Sequence, residues 1–193
     1  MPDQTLAPMR ARAERWFSVA VATRVNSVLS VFFEKLSSQE DSFAAVQVVE
    51  SAWREAAGQG EEAGFQLESI PLLERLKGKA ISLDNPAGAA VAAAADAALL
   101  ISSYHRDDNP RVAEVMASAL TVALEFDRHG IAAPEGYASW LSFESLGHAD
   151  LANLVFGDEA RLDPGDSFEI RFKSGEDSMT YRNSIKAWLR DVR

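Results

Sequence analysis

Two long stretches of this chain are almost free of charge, and each is interrupted once. Between Arg15 and Glu34 the only charged residue is Arg24, and between Asp84 and His105 the only one is Asp96. Stretches this apolar must be buried against something, which constrains the fold more than any other feature of the sequence. In the first, Phe17, Val21, Val28, Val31 and Phe32 recur at helical spacing and share one face. This predicts a helix from about Met9 to Leu36, ended by Ser37 and Ser38. The second, "NPAGAAVAAAADAALLISSY", opens like a helix, with Asp84 or Asn85 as cap and Pro86 in the first turn. Alanine is only weakly apolar, and Gly88 and Asp96 break the run, so it reads as a core helix rather than a membrane span.

A buried, unpaired charge costs several kcal/mol, roughly, so such groups are paired or neutralised. Arg24 lies three residues after Val21 and four before Val28, on the apolar stripe itself. Asp96 shares the side of Leu99 and Leu100. The economical expectation is that Arg24 and Asp96 meet across a helix–helix interface, as an ion pair that fixes register. The alternatives are that either side chain reaches solvent at a helix edge, or that the two line a polar pocket.

The rest of the chain extends the helical pattern. A second helix is expected over about Asp41 to Ala57, capped by Asp41 or Ser42, with Phe43, Val46, Val49 and Trp53 as its buried stripe. "GQGEEAG" reads as a loop. A short helix is expected to start at Pro71 and to stop at Gly78. Asn109 and Pro110 open a further helix, with Val112, Val115, Met116, Ala119, Val122 and Phe126 as its stripe and an end near Gly130. Its connection to the alanine helix is short, so those two should lie antiparallel. Beyond Gly130, "PEGYASWLSFESL" and "HADLANLVF" read as two short helices. In "SFEIRFKSGEDSMTYR", Phe168, Ile170 and Phe172 alternate with Glu169, Arg171 and Lys173, which predicts a β-hairpin over 167–182. "SIKAWLRDV" closes the chain as a helix. The expected architecture is mainly α: one domain spanning 1–193, an antiparallel helical bundle with its core over about 9–129. Short helices and a small C-terminal hairpin over 130–193 are appended to it.

An arginine in an apolar first helix, a tryptophan late in the second, then "ESIP" and "AADAA" give the chain a resemblance. It resembles the YjaG-like bacterial proteins across about Glu14 to Phe126, with matching positions at Arg24, Trp53, Glu68, Ile70, Pro71, Asp96 and Ala97. The resemblance implies an all-helical fold and no assigned activity. The chain departs from that family in carrying Thr23 where an acid is usual, in lacking a proline in "VNSVL", and in the strand-like "SFEIRF".

The chemistry on offer is sparse. There are no cysteines, which excludes disulfides, thiolate metal sites and cysteine nucleophiles. "YHRDD" sets His105 near Asp107 and Asp108, and "EFDRHG" sets His129 near Asp127. Neither has metal-ligand spacing, and both suit helix ends; the third histidine is His148. No nucleophile elbow, Walker loop or dinucleotide fingerprint is present. No catalytic residue, cofactor or metal ligand is therefore assigned. The net charge of −10 disfavours nucleic acid as partner. The N-terminus lacks a signal-peptide core, and the expected location is cytoplasmic.

Acids dominate from Glu34 to Glu68, against Lys35 and Arg54 alone. An acidic face on a helical scaffold suits a basic partner. The expected function is a non-enzymatic protein-binding module, most sharply an immunity-type inhibitor of a basic toxin. Glu55, Glu61, Glu62 and Glu68 are its candidate contact residues. Two alternatives stand beside it: a small-ligand protein or enzyme using a pocket at Arg24 and Asp96, and a structural or oligomer-forming helical protein.

Overall fold

A computed structural model of the 193-residue chain describes residues 6–58, 63–103, 111–157 and 164–191. Seven helices occupy these residues: α1 (Leu6–Leu36), α2 (Gln39–Ala56), α3 (Ala63–Ser82), α4 (Gly88–Ser102), α5 (Val112–Arg128), α6 (Trp140–Phe156) and α7 (Pro164–Asp191). No strand occurs among the described residues.

The first helix is the axle of the bundle. α2, α4, α5, α6 and α7 all pack against α1, while α3 packs on α2 and α4. From Trp16 to Phe33 every residue is buried except half-buried Thr23. α1 therefore has no single buried face, and its near-total lack of charge follows from being surrounded. Arg10–Leu36 is long and apolar enough to cross a membrane, but 94% of its most apolar window is buried inside the protein. Among the described residues, Ser18 Oγ and Asn26 Oδ1 are buried in α1 without a hydrogen-bond partner, while other polar groups of the helix are tied to neighbours. Thr23 Oγ1 donates to the Val19 carbonyl at 2.7 Å and accepts from Trp53 Nε1 at 2.9 Å. Ser27 Oγ donates to the Ser178 carbonyl at 2.7 Å, which fixes α7 along α1.

The small residues of α4 let it sit between α1, α3 and α5. A Cβ on Gly88 would stand 2.7 Å from the Ala80 carbonyl oxygen, so α3 and α4 approach backbone to backbone there. α5 ends as expected: Ile131 N–H bonds to the Phe126 carbonyl and Gly130 N–H to the Asp127 carbonyl, with Gly130 at φ 67°. This is a Schellman stop that uses glycine's left-handed freedom.

Several expectations are corrected. The segment 167–182 is not a hairpin but part of the long helix α7. Its buried residues, Ile170, Ser174, Asp177, Tyr181, Ile185 and Trp188, repeat every three or four positions. The alternation of phenylalanines misleads because Phe168 and Phe172 are exposed and only Ile170 is buried. The two short helices after Gly130 are one helix, α6, started by a Ser139–Ser142 capping box. Pro71 lies inside α3, which runs on past Gly78 to Ser82. Ser38, not Asp41 or Ser42, caps α2 by accepting from Asp41 N–H at 3.1 Å. The α2 stripe is Ala45, Val48, Val49, Ala52, Trp53 and Ala56, while Phe43 and Val46 face outward. Asn85 Oδ1 accepts from Ala87 N–H at 2.9 Å, just ahead of α4. Asn109 and Pro110 lie outside the described residues.

Candidate functional site

Arg24 is fully buried. The Arg24–Asp96 pair does not form. The partners of Arg24 are Glu144 of α6 and Asp177 of α7. Its Nε lies 3.1 and 3.2 Å from the two Glu144 carboxylate oxygens, and Nη2 lies 3.1 Å from Oε2. Nη1 donates to Asp177 Oδ2, and Nη2 also reaches the Phe143 carbonyl at 3.4 Å. The Phe143 ring covers the guanidinium at 5.0 Å. Tyr181 Oη donates to Glu144 Oε2 at 2.9 Å. His148 Nε2 stands 2.9 Å from Glu144 Oε1, close but poorly aligned for a hydrogen bond. Lys173, at the rim, reaches Asp177 Oδ1 at 3.4 Å. One buried cation thus joins α1, α6 and α7.

Gly147 makes this possible. A Cβ there would overlap the Arg24 guanidinium carbon and both terminal nitrogens. The guanidinium lies flat on the bare backbone of α6 between Glu144 and His148.

The two carboxylates are held unequally. Burial would push Glu144 up, but Arg24, with His148, outweighs it and brings the carboxyl down from 4.5 to about 2. Asp177 is pushed up, because its burial and the neighbouring Glu144 outweigh Arg24 and Lys173. Burial, followed by Glu144, also pushes the Tyr181 phenol well up, so it stays a donor.

This asymmetry predicts an uneven acid profile. Glu144 titrates lower folded than unfolded, so its stabilisation is whole above pH 4.5 and is lost as pH falls towards 2. The shift corresponds to about 3 kcal/mol. Asp177 titrates higher folded than unfolded, so its proton uptake favours the fold as pH falls through its raised folded-state pKa towards 3.8. Urea unfolding across pH 7 to 2 should show stability held or rising first, then falling steeply below pH 4.5. Asp177→Asn should remove the early rise and leave the late fall.

Asp96 sits elsewhere. It pairs with Lys77 at 2.6 Å, and both side chains are more than a third exposed. It lines a surface cleft of about 510 Å³ with Glu74, Leu99, Leu100 and Arg111. The two lone charges therefore share neither a contact nor a pocket. Asp96 has slipped to the open edge of α4, where the lysine of α3 meets it.

The acidic run is also partly consumed inside the protein. Glu34 bridges Arg182 at 3.4 Å and Glu50 bridges Arg171 at 2.6 Å, both on α7. Asp41 is buried and holds Arg75, Lys79 and the Ser37 hydroxyl. Glu55 lines a cleft of about 460 Å³ beside Arg12 and Arg15. Glu61 and Glu62 lie outside the described residues, and of Glu68 only its place in α3 is described. What α2 does present is a cleft of about 550 Å³ lined by Glu34, Gln39, Glu40, Ser42, Phe43 and Val46. Phe43 is 64% exposed there.

Asp127 spends its carboxylate capping α6. It accepts from Trp140 N–H at 2.7 Å and from Leu141 N–H at 3.0 Å, where the positive helix end favours an anion. His129 stacks near Trp188, with ring centres 5.0 Å apart. His105, Asp107 and Asp108 lie outside the described residues. Among the described residues no group of three histidine or carboxylate side chains could hold a metal.

Glu144, His148, Asp177 and Tyr181 were missed from the sequence, yet a signal existed. Glu144 and His148 lie on the stripe Trp140, Phe143, Leu151 and Val155 of α6, four residues apart. Asp177 lies on the α7 stripe once that segment is read at helical period. Comparison of the chain with family models, with curated proteins and with solved structures returns no match.

Proposed function

We propose that this chain is a non-enzymatic protein-binding module whose docking face centres on the outer side of α2. Its sharpest form is an immunity-type inhibitor that occupies a basic toxin. The observation that carries the reading is the exposure of Phe43 and Val46, rather than burial, beside Glu34 and Glu40. An aromatic side chain held in solvent and rimmed by acids is the make-up of a docking spot for a basic surface with an apolar anchor. The net charge of −10 would speed encounter with such a partner. The main charged cluster supports a scaffold rather than a catalyst, since the Arg24 and Glu144 side chains are wholly closed to solvent.

The test is capture from the host with the purified chain as bait, followed by titration of the purified partner. A basic partner is expected, and Phe43→Glu should weaken binding about tenfold or more. Glu40→Lys should slow association and flatten its salt dependence. For a toxin, co-expression of the wild-type chain should relieve growth arrest and the Phe43→Glu chain should not. Binding untouched by both substitutions would remove α2 from the interface.

A further inference from the structure

The last helix carries a second apolar stripe that the fold does not use. Phe168, Phe172, Gly175 and Met179 follow one another at steps of four, three and four, and so return to one side of α7. That side is opposite the buried stripe of Ile170, Tyr181 and Ile185. Phe168 is 73% exposed, Phe172 58% and Met179 54%. The two phenylalanine rings stack on each other, with centres 6.3 Å apart and planes 21° apart. A Cβ on Gly175 would meet nothing within 4 Å, so the helix backbone is open to close approach there.

We propose that this stripe is a self-association seam, on which the α7 of a second copy packs parallel and in register. The step pattern is that of the core positions of a coiled coil. The charges beside it select the occupant and its direction. Arg171 and Glu176 flank the stripe on opposite sides, five residues apart. In a parallel pair, Arg171 of each copy faces Glu176 of the other, twice over by two-fold symmetry. In an antiparallel pair, the side bearing Glu169 and Glu176 would face the same side of its twin, and acids would oppose acids. Arg171 already holds Glu50 at 2.6 Å, but a guanidinium has donors to spare for a second carboxylate. The seam ends after Met179, where Arg182 is drawn aside to Glu34. Three turns of contact make a small interface, so the pairing is a weak equilibrium rather than an obligate dimer. This inference is independent of the α2 docking face.

Sedimentation equilibrium across a wide concentration series tests it. The weight-average mass should climb from 21.0 kDa towards twice that value. Phe172→Glu, on the surface, should stay monomeric with an unchanged circular dichroism spectrum. Glu176→Arg should weaken pairing about tenfold. Adding Arg171→Glu to it should restore pairing, since the charges are then exchanged. The chain has no cysteine, so Met179→Cys gives one thiol per copy, which should cross-link under mild oxidation in the parallel arrangement. A mass fixed at 21.0 kDa at every concentration would overturn the proposal and leave the stripe to a different partner. So would association untouched by Phe172→Glu. Association without the Met179→Cys cross-link would overturn the parallel register.

Discussion

Glu144→Leu is expected to lower the unfolding free energy by about 3–5 kcal/mol. The carboxylate it removes accepts from Arg24 Nε and Nη2 and from Tyr181 Oη, all fully buried. The loss is not the value of the contacts but the cost of leaving a buried cation with Asp177 as its remaining carboxylate partner. A double-mutant cycle separates the two. Arg24→Met should be costly alone, because it strands Glu144, and Arg24→Met with Glu144→Leu should recover a large part of either loss. A coupling of about 2–3 kcal/mol is expected in chemical denaturation. The same cycle with Asp96→Leu should be additive within about 0.5 kcal/mol, because Asp96 belongs to a surface pair with Lys77. Strong coupling of Arg24 to Asp96 would contradict the arrangement described above.

Gly147→Ala is expected to destabilise by about 1–3 kcal/mol through overpacking. The added methyl overlaps the guanidinium, which is fixed from three sides and has no slack. If Arg24 is displaced, Glu144 loses the charge that holds it down, and the steep limb of acid unfolding should move to higher pH. Gly78→Ala supplies the contrast. Gly78 is also helical, but a Cβ there meets nothing, so the same substitution should stabilise by roughly 0.5–1 kcal/mol. Thermal unfolding of the two variants should shift in opposite directions.

How much of this could be read from the sequence depends on distance along the chain. Helix existence was legible wherever the apolar period was sustained, as in α1, α4 and α5. Arg24 was legible as a buried charge, because nothing else in its neighbourhood is charged. Its partners were not legible by elimination, since Glu144 and Asp177 lie among many other acids and are brought in by helices far along the chain. Asp96 attracted attention for the same reason as Arg24, but alanine neighbours are compatible with an open edge as well as a closed one. In α7 the error was one of window length. Three alternating residues outweighed a stripe that repeats from Ile170 to Trp188, because two of the three face solvent. On α2, hydrophobicity alone placed Phe43 inside, whereas the alanines at 45, 52 and 56 mark the side where helices approach closely.

The cluster at Arg24 also imposes an order of events on synthesis. Its partners lie 120 and 153 residues downstream. At about 5–20 residues per second, the ribosome needs on the order of 10 s or more to deliver them. Throughout that time the nascent chain holds a long apolar helix with an unmatched cation at its middle. A product cut short before α7 would keep only part of the answering charge. Closure of the core around Arg24 therefore has to wait for α6 and α7.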